Sequence, residues 1–201
     1  SKDGKPHYLY GTSKFEPMAQ IWAIYWGLAS SDQARKILSL FDKNYDNYIT
    51  PHGYVMVNQN YRMWDGWYFG GYASVIFAKY GYQKRAKETL ERMTSIVNQP
   101  GQPVEHESID GIPTGTEYNV VQVINILRVI KKGVFGIEVG TDHLVLAPTI
   151  EGSGSYEFQY REKEIIVEKT GEGNYLNEVW INGKRHSTDG YRTHIYEKNL
   201  S

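Results

Sequence analysis

Residues Glu16–Tyr45 read EPMAQIWAIYWGLASSDQARKILSLFDKNY, and two kinds of helix stand next to each other in that stretch. From Glu16 to Ala29 the residues are apolar almost all round, with Pro17 suited to a first helical turn, so the pattern predicts a helix buried on most sides. From Ser31 the pattern becomes amphipathic: Ala34, Ile37, Leu38 and Phe41 share one stripe, and Arg35, Lys36 and Asp42 the other. Ser30 with Gln33 offers a capping box between the two. The pair then recurs. Trp67–Tyr80 (WYFGGYASVIFAKY) is again apolar all round, Gly81 breaks it, and Lys84–Asn98 (KRAKETLERMTSIVN) is again amphipathic. Gln33–Leu38 aligns with Arg85–Leu90 at an offset of 52, and a third segment of the buried type follows at Glu117–Ile130 (EYNVVQVINILRVI).

A repeat of about 50 residues, each an inner helix, a short turn and an outer helix, is the signature of stacked helical hairpins. The connections from outer to inner helix, Tyr45–Asp65 and Gln99–Thr116, are long, whereas the turns at Ser30 and Gly81 are short. Parallel stacking therefore puts both long loops at one end, where a functional site is expected. After Lys131-Lys132-Gly133 the period falls to two. Glu138-Val139, Leu144–Ala147, Tyr156–Arg161, Ile165–Lys169 and Glu178–Asn182 read as strands, and Asn182-Gly183 is the strongest hairpin signal. The charged alternation in YREKEIIVEKTG predicts a sheet solvated on one face.

Composition narrows the classes of function. With 22 Lys+Arg against 23 Asp+Glu in 201 residues, no basic surface for phosphate backbones is implied, so nucleic acid is excluded as a partner. The absence of Cys removes disulfides, thiolate metal sites and cysteine nucleophiles, and leaves the compartment open. No apolar run has the length of a membrane span, and Ser1-Lys2-Asp3-Gly4 does not begin a signal peptide. The six His residues have no HExxH spacing, and no glycine-rich nucleotide loop occurs, so no metal or cofactor is expected. Asp42-Lys43-Asn44-Tyr45-Asp46-Asn47 opens like a calcium loop, but Gly53 stands where the bidentate Glu belongs. An outer-helix end followed by a turn explains it more simply. Aromatic residues reach 14 %, with 17 Tyr and 5 Trp, side chains whose apolar faces suit packing and sugar rings alike.

Together, the hairpin repeat, the trailing strands and the phrase GVFGIEVGTDHLVLAPTI (Gly133–Ile150) resemble the six-hairpin glycosidases, a superfamily with glucoamylase, trehalase and processing α-glucosidase relatives. The loop VEHESIDGIPTGTEYNVVQ is similar to that superfamily's segment before its last inner helix, through Glu107, Asp110, Thr114 and Gly115. The resemblance implies a mainly α chain with a C-terminal β region. Residues 1–132 would be helical hairpins from an (α/α)6 toroid, and 133–201 a small antiparallel sheet. Twelve helices close such a toroid and this chain supplies about five, so it would be the C-terminal portion of a longer enzyme. Its expected partners are the missing N-terminal segment or a second copy.

An inverting glycosidase needs one carboxylic acid to protonate the leaving oxygen and one carboxylate to activate water across the ring. The resemblance implies Glu107 as that base, with Glu105 as the fallback and the acid on an earlier segment. A solvated acidic loop is the plainer reading of Glu105, Glu107 and Asp110. In Asn60–Tyr68 (NYRMWDGWY), Trp64 and Trp67 would stack on a saccharide, Asp65 would accept its hydroxyl hydrogen bonds and Arg62 would orient that carboxylate. Aromatic core with Asp65 as a helix cap remains the alternative there. Tyr8, Tyr10, Phe15 and Gln20 read as packing. A related phosphorylase and a non-catalytic saccharide-binding or interaction module stay open beside the hydrolase.

Overall fold

The computed structural model describes residues 15–57, 70–98, 104, 106–113, 120–171, 173, 175–181 and 183–196. Its internal contacts divide the chain into two units, Ser1–Ile126 and Leu127–Ser201.

In the first unit, α1 (Pro17–Tyr25) opens on Pro17, whose missing N–H is no loss in a first turn. Gly27 takes a left-handed φ of +70°, and the N–H groups of Leu28 and Ala29 both turn back to the Ala23 carbonyl. That backbone closes the helix at Tyr25, short of the Ala29 expected from hydrophobicity alone. Ile21 and Ile24 are buried, but Trp26 and Leu28 stand 63 % and 80 % exposed, so the apolar segment is not enclosed on every side. The capping box forms at the start of α2 (Ser31–Lys43): the Ser30 N–H donates to Gln33 Oε1 at 2.8 Å and the Gln33 N–H to Ser30 Oγ at 3.3 Å. Ala34, Leu38 and Phe41 are the fully buried members of the expected stripe. Phe15 packs as expected, stacking on Tyr48 with ring centroids 5.0 Å apart and meeting Phe41 edge-on.

A short α3 (Tyr45–Tyr48) follows, then α4 (Gly70–Lys79) and α5 (Gln83–Ser95), which form the second hairpin. The supposed calcium-loop acids are spent on arginines: Asp42 pairs with Arg85 at 2.7 Å and Asp46 with Arg92 at 2.5 Å. Between those guanidiniums lies the Tyr45 ring, 4.3 and 4.7 Å from them, with its hydroxyl 2.7 Å from Thr89 Oγ1. Burial pushes that hydroxyl well above the ordinary tyrosine range. Gly70 begins α4 against the Gly53 carbonyl, where a Cβ would lie 1.7 Å from the oxygen. No other residue fits that approach.

α6 (Val120–Val129) runs into a π-helical turn, Ile130–Val134, before the strands. In the second unit, β1 (Ile137–Val139), β2 (His143–Leu146) and β7 (Thr193–Tyr196) form an antiparallel sheet with β2 central. β3 (Gly154–Tyr160) and β4 (Lys163–Lys169) form a hairpin with seven paired positions, from Gly154 opposite Lys169 to Tyr160 opposite Lys163. Arg161, expected at the end of a strand, instead forms the turn with Glu162, both at positive φ (47° and 64°). β5 (Val179–Ile181) and β6 (Lys184–His186) form a second hairpin, with Gly183 at φ +73° in its turn. Glu157, Gln159, Glu164, Ile166 and Glu168 face solvent while Tyr156, Phe158, Ile165 and Val167 are half-buried, the one-sided solvation expected of β3–β4.

The (α/α)6 reading is overturned. Among the described residues 42 % are helix and 23 % strand, a mixed architecture, with sheets of two or three strands. Among the described residues two helical hairpins, α1–α2 and α4–α5, pack through α1 against α4, and the third helix of the inner type passes into a π turn and a strand. The physical reason is that a 50-residue helical period specifies neighbouring hairpins, whereas closure into a ring is a long-range property that no local pattern encodes. Among the described residues the β region divides into three separate sheets, and positive-φ turns at Arg161-Glu162 and at Gly183 close β3–β4 and β5–β6 as local pairs.

Candidate functional site

Two connections of the first unit meet. The earlier one is a tight loop: Ile49 and Val55 form an antiparallel bridge, the Thr50 N–H donates to the Tyr54 carbonyl, and the Tyr54 N–H to Thr50 Oγ1, each at 2.9 Å. Gly53 at φ +76° makes that loop possible. The later one folds on itself through a Glu107–Pro113 bridge, with the Ser108 N–H donating to the Ile112 carbonyl at 2.8 Å and the Ile112 N–H to Ser108 Oγ at 3.2 Å. Gly111 packs so near Pro51 that a Cβ would touch its ring at 3.2 Å.

The joint between them is His52 with Glu107. The Glu107 carboxylate is 0 % exposed and accepts two hydrogen bonds from one residue: the His52 backbone N–H to Oε1 at 3.2 Å and the ring Nδ1 to Oε2 at 2.5 Å. An ionised carboxylate only accepts, so Nδ1 carries the proton in this pair. Two of the four lone-pair positions of the carboxylate are thereby occupied, and its orientation is fixed. The Tyr54 hydroxyl donates to the Val104 carbonyl, a second tie between the same loops. Burial raises that hydroxyl above its ordinary range, and the negative charge of Glu107 raises it further. Arg92 braces the earlier loop from α5, its Nη1 donating to the Ile49 and Thr50 carbonyls at 3.0 and 3.3 Å.

Of the residues singled out from sequence, Glu107 is therefore at a buried joint and Asp110 at an exposed turn beside it. Arg62, Trp64, Asp65, Trp67 and Glu105 lie outside the described residues. His52 escaped the sequence reading: it belongs to no spacing motif, and its partner is 55 residues away. The signals that could have marked it are only its place in a long loop and the adjacent Gly53. Among the described residues no group of three or more His, Cys, Asp or Glu could hold a metal ion, and no helix is long and apolar enough to cross a membrane. Comparison with protein-family models, with curated proteins and with solved structures finds no match in any of the three.

Proposed function

We propose that this chain carries the base side of a carbohydrate-active hydrolase, with Glu107 as the carboxylate that deprotonates the attacking water. The supporting observation is the clamp of His52 on Glu107 in the loop whose sequence resembles a glycosidase motif. Held at both oxygens, the carboxylate keeps one orientation. Arg62, Trp64, Asp65, Trp67 and Asp110 would hold the saccharide, and Glu105 is the second candidate base. The opposing acid comes from a segment beyond these loops. Inversion requires the two carboxyl groups about 6.5–9.5 Å apart across the scissile bond.

A second reading has its own observation. Complete burial of Glu107 also suits a purely structural tie between loops, since a carboxylate bonded to backbone and side chain of one residue is a stable crosslink. One comparison separates the two. In a preparation that also supplies the acid, Glu107→Gln lowers turnover about 10²–10⁴-fold with saccharide binding retained. Loss of turnover in Glu105→Gln instead moves the base by two positions. If neither variant loses turnover while Glu107→Gln loses stability, the hydrolase assignment fails and the tie stands. Cleavage that depends on inorganic phosphate would make the reaction a phosphorolysis.

A further inference from the structure

The second unit contains a groove of about 990 Å³ lined by its own residues. Its floor is the buried apolar side of the three-stranded sheet, with Leu144, Leu146 and Ile195. One wall is β4, and the other is formed by Gly171, Gly173 and the residues from Tyr175 to Trp180. Volumes of this order hold small-molecule ligands.

Two lining aromatics are open to solvent and fixed from behind. Trp180 is 59 % exposed, yet its indole N–H is already donated to Glu178 Oε2 at 3.0 Å, and the other oxygen of Glu178 lies 3.4 Å from Arg185 across the hairpin. The polar tip of the ring is thus satisfied internally, and what it offers a ligand is a flat π face. Tyr175 is 54 % exposed and sits on Gly190, where any Cβ would come within 2.2 Å of its ring. The Leu176 N–H anchors the same segment to the Gly190 carbonyl at 2.7 Å, and Tyr191 meets the Tyr175 ring edge-on at 5.2 Å. Rings held this way lose little freedom when something stacks on them.

The charges of the lining define the ligand further. Glu168 lines the groove together with Glu164, which shares a hydrogen bond with Glu157, and Glu178, whose oxygens meet Trp180 and Arg185, while the ammonium of Lys169 is donated to the Ile150 carbonyl at 3.1 Å. Such a wall repels phosphate, sulfate and carboxylate groups and accepts hydrogen bonds from hydroxyls. Asn177 adds an amide that both donates and accepts. Flat aromatic faces beside carboxylate and amide acceptors suit a ring with an apolar face and a rim of hydroxyls. We infer that this groove binds a neutral oligosaccharide, stacked on Trp180 and Tyr175. The inference takes only the saccharide class from the proposed function, and binding here requires no cleavage.

The test is calorimetric titration of the whole chain with maltohexaose, cellohexaose, xylohexaose and, as a charged control, a heparin hexasaccharide. At least one neutral probe binds, Trp180→Ala weakens it about tenfold or more, and Trp180→Tyr, which keeps a flat ring, stays within about threefold. Trp26→Ala, an exposed tryptophan in the other unit, leaves the affinity unchanged. Thermal unfolding of each variant shows whether the fold is retained, and Trp180→Tyr carries the comparison if the alanine variant does not fold. Absence of binding by every neutral probe, equal affinity in a folded Trp180→Ala, or heparin binding as tight as the neutral sugars overturns the inference. Binding that depends on Trp180, with no cleavage even in a preparation that also supplies the acid, keeps the groove and removes the hydrolase. Cleavage without such binding does the reverse.

Discussion

The two units join distant parts of their chains by different chemistry. In Ser1–Ile126 the joints are side chains: Glu107 accepts from His52, Arg92 holds two loop carbonyls, and Arg85 holds Asp42. In Leu127–Ser201 the longest-range joint is a backbone ladder, β2 with β7, and the exposed side chains of its strands include carboxylates and aromatics. A side-chain joint places dehydrated polar atoms where one substitution can orphan them, whereas a ladder spreads its hydrogen bonds over many residues. The first unit is therefore fragile at single positions, and the second at its turns.

The sharpest way to break that contrast is to remove one member of the buried pair. His52→Ala leaves the Glu107 carboxylate without its ring donor, at a cost of about 3 kcal/mol for a pair of which one partner is fully enclosed. Native-state hydrogen exchange should show faster exchange for amides at 50–57 and 106–113, with β3–β4 unaffected. Replacing both partners, as His52→Leu with Glu107→Met, should recover much of the loss, because no charge is then stranded. Equal acceleration in both units would mean that the pair is not a local joint.

A smaller effect of opposite sign belongs to the second unit. Glu162 holds φ +64° in the β3–β4 turn, a conformation that costs a non-glycine residue about 1–2 kcal/mol. Glu162→Gly relieves it, and the greater freedom of glycine in the unfolded chain returns part of the gain. A net stabilisation of about 0.5 kcal/mol is expected, seen as slower exchange in β3 and β4. A loss would show that the Glu162 side chain contributes more than its backbone costs.

The smallest effect is electrostatic. Glu157 shares a hydrogen bond and like-charge repulsion with Glu164, which raise its carboxyl above the usual range. A raised folded-state value contributes stability that is fully present below the unfolded value and lost as pH rises through the folded one. The hairpin should thus tighten on mild acidification, and Glu164→Gln should return Glu157 to ordinary behaviour. Carboxyl chemical shifts followed through an acid titration measure both, and an unmoved Glu157 midpoint in Glu164→Gln would show that its neighbour is not the cause.

What the sequence disclosed, and what it hid, follows the range of the forces involved. The Ser30–Gln33 capping box and the turn at Gly183 were legible because four or fewer neighbouring residues settle them. The stripe of Ala34, Leu38 and Phe41 was legible because burial repeats with the helical period. β6 and β7 were not, since KRH and THIY are too short and polar to show a period, and β7 gains its place by pairing with β2. The Arg161-Glu162 turn was hidden because neither residue ordinarily adopts positive φ. The helical repeat corresponds to two packed pairs, α1–α2 and α4–α5, and its extension to a toroid does not hold. Of the candidate site, the loop and Glu107 could be found in advance, but not His52, whose role exists only once two loops have met.

The pairing of β7 with β2 bears on how the second unit assembles. Residues 147–192 intervene between the two strands, and both other hairpins are contained within that interval. Contacts between residues near in sequence form at low entropic cost, so β3–β4 and β5–β6 can be complete while β2 still lacks its second neighbour. During that interval β2 presents an unpaired edge carrying Leu144, Val145 and Leu146, a short apolar template for any other extended chain. The last strand thus serves as a guard against misassembly, and loss of Thr193–Tyr196 should be felt first in the yield of correctly folded protein.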